Sequence, residues 1–227
     1  MAKGVSVCLL DLIADSQNLQ VLCGDIGNVF IHANTKEKIY TRCGPEFRER
    51  EHSIAIIVRA LYGLTTSAER FRTMLADFIR TLGFKPSHFD RDLWMRMRDA
   101  HDGFDYICTH VDDFKVVAKD PNMWVDMIAS VFLVKEHGPR NYYLGNDYTY
   151  HDAHDMWTYG FKTYATVSVS RVERLFGCLP KESTLLPVTD CHPELDKSTV
   201  LGLDDHRKFQ MLLGMLQWMV TIGKPDL

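Results

Sequence analysis

The sequence has no cysteines paired at metal-ligand spacing. Its six cysteines (Cys8, Cys23, Cys43, Cys108, Cys178 and Cys191) are scattered, form no Cys-x-x-Cys, and mostly sit inside apolar patterns. That distribution argues against a zinc site and for thiols acting as small hydrophobes in a reduced, intracellular compartment. No run approaches about 18 uninterrupted apolar residues, so a membrane span is not expected. The opening Met1-Ala2-Lys3-Gly4, followed by a segment holding Asp11 and Asp15, lacks the features of a secretory signal. Neither common Gly-rich phosphate loop occurs, nor an Asn-glycosylation acceptor, and no internal repeat is evident.

What is present fits an ordinary globular protein. The 227 residues suffice for one large domain or two small ones, and the 46% hydrophobic and 25% charged content supplies a substantial core. The net charge of −4 argues mildly against nucleic-acid binding, but its distribution says more. From Arg59 to Arg98 there are eight Lys/Arg against four Asp/Glu, whereas Asp99 to Asp113 holds five Asp and no Lys or Arg. A basic segment beside an acidic one suits phosphate-backbone contacts next to a metal site. Solvated helix faces explain the same charges equally well.

The acidic segment ends in Thr109-His110-Val111-Asp112-Asp113-Phe114. Phe104–Cys108 and Lys115–Ala118 on either side are β-branched or aromatic runs, so the middle reads as a hairpin bend. Successive side chains alternate faces along a strand, so adjacent carboxylates serve one site only where the backbone turns. Two carboxylates so close repel, and a hard divalent cation is the usual remedy. Turn chemistry alone also selects Asp here.

The remaining pattern alternates helices and short strands. Val5–Ala14 reads as a helix and Leu19–Ile26 as a strand with Asp25 near its end, before a turn at Gly27-Asn28. Residues 34–53 read as loop, and Ile54–Val58 as a buried strand. Ser67 reads as an N-cap to a helix carrying Phe71, Leu75, Phe78, Ile79 and Leu82, stopped by Gly83, with Arg70, Arg72 and Arg80 on its polar face. Trp124–Phe132 is a second amphipathic helix, with Gly138-Pro139 closing that unit. Tyr142–Gly145, Tyr148–Tyr150 and Met156–Tyr159 read as strands around a tip at His151–Asp155, a set with metal-ligand character that reads better as a polar turn. Helices follow at Val169–Phe176, ended by Gly177, and at Phe209–Val220, ended by Gly223-Lys224-Pro225, with a loop-rich stretch over 180–203 between them.

Five segments in this order resemble a copia-type retrotransposon reverse transcriptase. Gly24-Asp25-Ile26-Gly27-Asn28-Val29-Phe30-Ile31-His32-Ala33 is similar to the family's first catalytic motif. Arg59-Ala60-Leu61-Tyr62-Gly63-Leu64 resembles its Lys-Ala-Leu-Tyr-Gly-Leu motif, and His110-Val111-Asp112-Asp113 its Tyr-Val-Asp-Asp motif. Tyr143-Leu144-Gly145 resembles its primer grip, and Phe209–Leu227 the segment after its thumb. Thr65-Thr66-Ser67-Ala68 departs from the usual Lys-Gln-Ala-Pro, and His110 stands where the family has Tyr.

The resemblance implies an α+β fold, a polymerase palm-like antiparallel sheet backed by helices, with a mainly helical thumb-like C-terminal part. It places the palm over 1–155, a fingers remnant at about 34–58 and a thumb or connection region over 156–227. The basic fingers hairpin is expected before Met1 and a ribonuclease H domain beyond Leu227, so the chain reads as a fragment of a polyprotein. Asp25 and Asp112 are the implied ligands of two Mg²⁺ or Mn²⁺ ions, with Asp113 second in rank. Ile26, Phe30, Tyr62 and Gly63 would meet the deoxynucleotide, Phe30 as a gate against the ribose 2′-hydroxyl or simply as core. Arg70, Arg72, His110, Tyr143, Leu144 and Gly145 would meet an RNA or DNA template–primer. A non-catalytic remnant that only binds nucleic acid or a partner is the alternative, and a different two-metal enzyme such as a nuclease is a third.

Overall fold

The computed structural model describes residues 2–177 and 199–222. Residues 180–198 of the loop expected over 180–203, Cys178, Cys191 and the helix stop at Gly223–Pro225 lie outside the described residues. In chain order the elements are α1 (Gly4–Ser16), β1 (Gln20–Ile26), α2 (Val29–His32), β2 (Asn34–Arg42) and β3 (Ile54–Arg59). There follow α3 (Ser67–Thr81), β4 (Lys85–Pro86), β5 (Leu93–Met97), β6 (Phe104–His110), β7 (Asp113–Ala118), α4 (Pro121–Ala129) and β8 (Val134–Pro139). The chain then forms β9 (Tyr142–Tyr143), β10 (Asn146–His151), β11 (Met156–Gly160), α5 (Lys162–Phe176) and α6 (Leu203–Ile222). The α+β class follows directly from this content. No helix among the described residues is long and apolar enough to cross a membrane.

Two compact units divide the chain, residues 1–140 and 141–227. The boundary falls between β8 and β9, where the sequence reading draws it after residue 155. The first unit is built on a six-stranded antiparallel sheet in the order β4-β5-β6-β7-β1-β8. The pleat sorts its residues. Leu22 and Ile26 of β1, Ile107 of β6 and Phe114, Val116 and Ala118 of β7 belong to one core with Phe71, Leu75 and Ile79 of α3 and Trp124, Val125 and Ile128 of α4. The opposite pleat face carries Cys23, Lys115 and Cys108 in one cross-strand row. There α1 lies, because its Asp11 takes both carboxylate oxygens to the fully buried Lys115 Nζ, at 2.8 and 3.0 Å. Arg140 at the end of β8 completes this network on Asp11 and Asp15.

Several local expectations change. Residues 34–42 are strand rather than loop, followed by a 3₁₀ turn at Pro45–Arg50. The segment is polar apart from the adjacent Ile39 and Tyr40, so it gives little period-2 signal, which is why this strand reads as loop. Ile54–Arg59 is a strand but not a buried one: Ile54, Ile56 and Val58 are 75%, 56% and 66% exposed. Thr66, not Ser67, precedes the first turn of α3, and Ser67 Oγ donates to Leu61 O at 2.7 Å. Gly83 and Gly177 end their helices with φ of +85° and +71°, as expected of glycine at those positions. Gly138-Pro139 ends β8, which pairs with β1, and the first compact unit closes just after it, at Arg140.

In the second unit β9, β10 and β11 form a three-stranded sheet in the order β11-β10-β9, with α5 packed against β10 and α6 against α5. Among its described residues Tyr143, Gly145, Asn146, Tyr148, Ser168 and Met215 are buried.

Candidate active site

The bend between β6 and β7 consists of Val111 and Asp112. Val111 takes φ of +59°, a left-handed conformation that costs a β-branched residue on the order of 1–3 kcal/mol. Such strain persists only where the flanking ladder enforces it, and here β6 and β7 are paired up to His110 opposite Asp113. On the other edge of β7, Asp113 is the direct partner of Asp25 in β1, and Asp25 in turn is the partner of Glu136 in β8. The Ile26 amide donates to Asp112 O at 2.8 Å, tying the end of β1 to the bend itself. A single row of His110, Asp113, Asp25 and Glu136 therefore crosses four strands, with Asp112 at its edge.

Gly24 makes that approach possible. A Cβ built on it would lie 2.9 Å from Phe114 Cε1 and 3.0 Å from Glu136 O, so only glycine lets β1 sit this close to Phe114 and β8.

The charges in the row act on one another. Burial, then the neighbouring Asp112 and Asp25, push the Asp113 carboxyl up to about 6. Asp25 relieves its own charge through Lys135, whose Nζ lies 3.1 Å from Asp25 Oδ2. That hydrogen bond holds the Lys135 ammonium above its ordinary value. Burial lowers the His110 imidazole, whose Nδ1 faces Ala2 O at 3.3 Å. As the side chains stand, no group of three or more His, Cys, Asp or Glu among the described residues converges as a ready metal cage. The donor chemistry is nonetheless that of a hard cation: carboxylate oxygens only, mutually repelling, with an ammonium already drawn to one of them.

Beside the row, Phe30 and Tyr62 meet with ring centroids 4.5 Å apart. Tyr62 is 70% exposed, and Gly63 next to it has φ of +95° with open space around it. Ile26 differs from its expected role: its side chain is buried in the core, and only its backbone reaches the bend. Arg70 Nε donates to Asn34 O at 3.1 Å, and Arg72 Nε to Asp92 Oδ1 at 2.8 Å. Tyr143, Leu144 and Gly145 belong to the second unit, where Tyr143 is buried and Leu144 and Gly145 turn the chain with positive φ from β9 into β10. A cavity of about 260 Å³ lies behind the bend, lined by Phe71, Leu75, Ala76, Trp94, Thr109 and Val111. None of the three acids lines it.

Sequence reasoning overlooks Lys135 and Glu136. Their strand is obscured by the Gly138-Pro139 that follows, and only a search for a second partner of β1 reveals it.

Residues 1–182 match the family described as reverse transcriptase (RNA-dependent DNA polymerase). The chain belongs to this family. It is 25% identical over 148 residues to the retrovirus-related Pol polyprotein from transposon RE1 of Arabidopsis thaliana, covering 63% of this chain and 10% of that protein. The corresponding polyprotein of transposon RE2 from the same plant is 24% identical over 148 residues, again 63% of this chain and 10% of its own length. That of transposon TNT 1-94 of Nicotiana tabacum is 23% identical over 150 residues, covering 64% of this chain and 11% of that protein. The chain thus spans about a tenth of the length of the curated relatives it matches. These matches place it among copia-type reverse transcriptases, the family its motifs resemble.

Proposed function

We propose that this reverse transcriptase chain performs RNA-directed DNA synthesis, adding deoxynucleotides to a primer 3′-hydroxyl, with Asp25, Asp112 and Asp113 holding two Mg²⁺ or Mn²⁺ ions. The observation that carries this reading is the register that sets Asp25 opposite Asp113, with the Ile26 amide on Asp112 O. The chemistry such ions supply when bound is activation of the primer hydroxyl and neutralisation of the leaving oxygens. The 3′-oxygen forms a bond to the α-phosphorus of the incoming deoxynucleotide as the bond to the β-phosphate oxygen breaks, releasing pyrophosphate. The hydroxyl proton leaves to solvent.

Protein groups then act by position. Asp25 and Asp113 stand on paired strands, so their carboxylates are presented by a hydrogen-bonded ladder rather than by a mobile loop. Phe30, braced by Tyr62, is the wall that crowds a ribose 2′-hydroxyl. Gly63 leaves room beside Tyr62 for the nucleotide. Arg70 and Arg72 lie on α3 for template phosphates, and Tyr143-Leu144-Gly145 form the turn assigned to the primer. Template–primer, deoxynucleotide and the rest of a retrotransposon polyprotein are the partners this reading requires.

Primer extension on an RNA template with Mg²⁺ or Mn²⁺ tests it. Asp112→Ala and Asp25→Asn are each expected to reduce extension on the order of a hundredfold or more, with circular dichroism and melting unchanged. Salt-dependent binding of template–primer with no extension by the wild type would sink the polymerase reading and select a binding-only module.

A further inference from the structure

We infer that Lys135 is a built-in counter-ion of Asp25, which a divalent cation must displace before the site can load. Three observations carry this. The register between β1 and β8 shifts between Asp25, opposite Glu136, and Ile26, opposite Val134, so Lys135 is the extra residue of a bulge. Bulges re-aim a side chain, and here the re-aimed chain is the one that reaches the carboxylate. The aliphatic stem of Lys135 lies across Gly27: a Cβ built there would come within 2.9 Å of both its Cγ and Cε. From that seat the ammonium meets Asp25 Oδ2 at 3.1 Å.

An ammonium and a divalent cation compete for the same oxygens. The Lys135 side chain is 54% exposed, so it can leave without disturbing the core. An exposed pair of this kind is weak, and the apparent metal affinity falls only by the fraction of molecules in which Asp25 is occupied. The expected penalty is about three- to fivefold in Kd.

The inference rests on the reading of Asp25 as a metal ligand, and a Mn²⁺ titration followed by the electron spin resonance of free Mn²⁺ separates the two. Lys135→Met is expected to bind Mn²⁺ about three- to fivefold more tightly than wild type, and Lys135→Arg no more tightly. In wild type, acylation of Lys135 by an amine reagent, read by mass spectrometry, is expected to rise when Mn²⁺ is added. In Asp25→Asn it is expected to be high from the start and insensitive to Mn²⁺. Wild-type binding that Lys135→Met leaves unchanged or weakens, that Lys135→Arg tightens equally, or that leaves Lys135 acylation constant overturns the counter-ion role alone. Absence of Mn²⁺ binding in every variant overturns the metal-ligand reading and this inference with it.

Discussion

Gly24 cannot carry a side chain where it stands. Its Cβ would press on the ring of Phe114, which is 1% exposed and packed in the middle of the core, and on the backbone of β8. Neither obstacle is the loose end of a flexible chain. Gly24→Ala is therefore expected to lower the unfolding free energy by about 1–3 kcal/mol, the usual range for overpacking, in urea denaturation. A melt equal to wild type would show that β1 can shift outward freely. Asp90 works by electrostatics instead. Burial opposes its ionisation, but hydrogen bonds from the Lys3 amide, Ser6 Oγ and the Asp92 amide outweigh burial and hold its carboxyl below the ordinary range. A carboxylate depressed in the folded state stabilises above its unfolded value, about 3.9, and that contribution is lost as pH falls through the folded value. The stability gap between wild type and Asp90→Asn is thus expected to be full at neutral pH and to shrink below about pH 4. A gap that widens in acid would reverse the assigned sign.

At the scale of an element, α1 is held to the sheet by charge as much as by apolar contact. Val7, Leu10 and Ala14 are buried along one face, while Asp11 reaches the fully buried Lys115 in the middle of β7. Removing one partner of such a pair strands the other in low dielectric, so Asp11→Ala is expected to cost about 3 kcal/mol. Replacing both, Asp11→Leu with Lys115→Met, should cost clearly less than the two single changes summed, a coupling that a double-mutant cycle in denaturant measures directly. Additive losses would mean the pair contributes no mutual stabilisation. None of this was legible in the sequence, because a lone Lys in an apolar strand and a lone Asp in a helix carry no sign of pairing across about a hundred positions. The helices α3 and α4 and the hairpin around Asp112 were legible, since each has a clear apolar period and a glycine, proline or Asp punctuating it. The strands β2 and β8 were not, because both lie at a sheet edge and are rich in charge. With β8 went Lys135, whose Nζ lies 3.1 Å from Asp25 Oδ2.

For the molecule as a whole, every residue of the main core from Ile26 to Phe132 lies before residue 140, as do all six strands of the large sheet and the Asp25–Asp113 register. The buried aromatic and aliphatic side chains of that core each contribute roughly 1.5–3 kcal/mol of hydrophobic stabilisation. The α1 network also closes within this span, with Arg140 as its last member. A core of this kind, with α3 and α4 of the same unit packed on it, meets the requirement for independent folding. A polypeptide of residues 1–140 is therefore expected to unfold in one cooperative transition, with near-ultraviolet circular dichroism from Trp94 and Trp124 showing fixed packing. It is expected to keep Mn²⁺ binding that Asp25→Asn reduces, while losing extension that depends on the turn at Tyr143–Gly145. A chain that stays molten when cut after Arg140 would show that the second unit supplies part of the stability here assigned to the first.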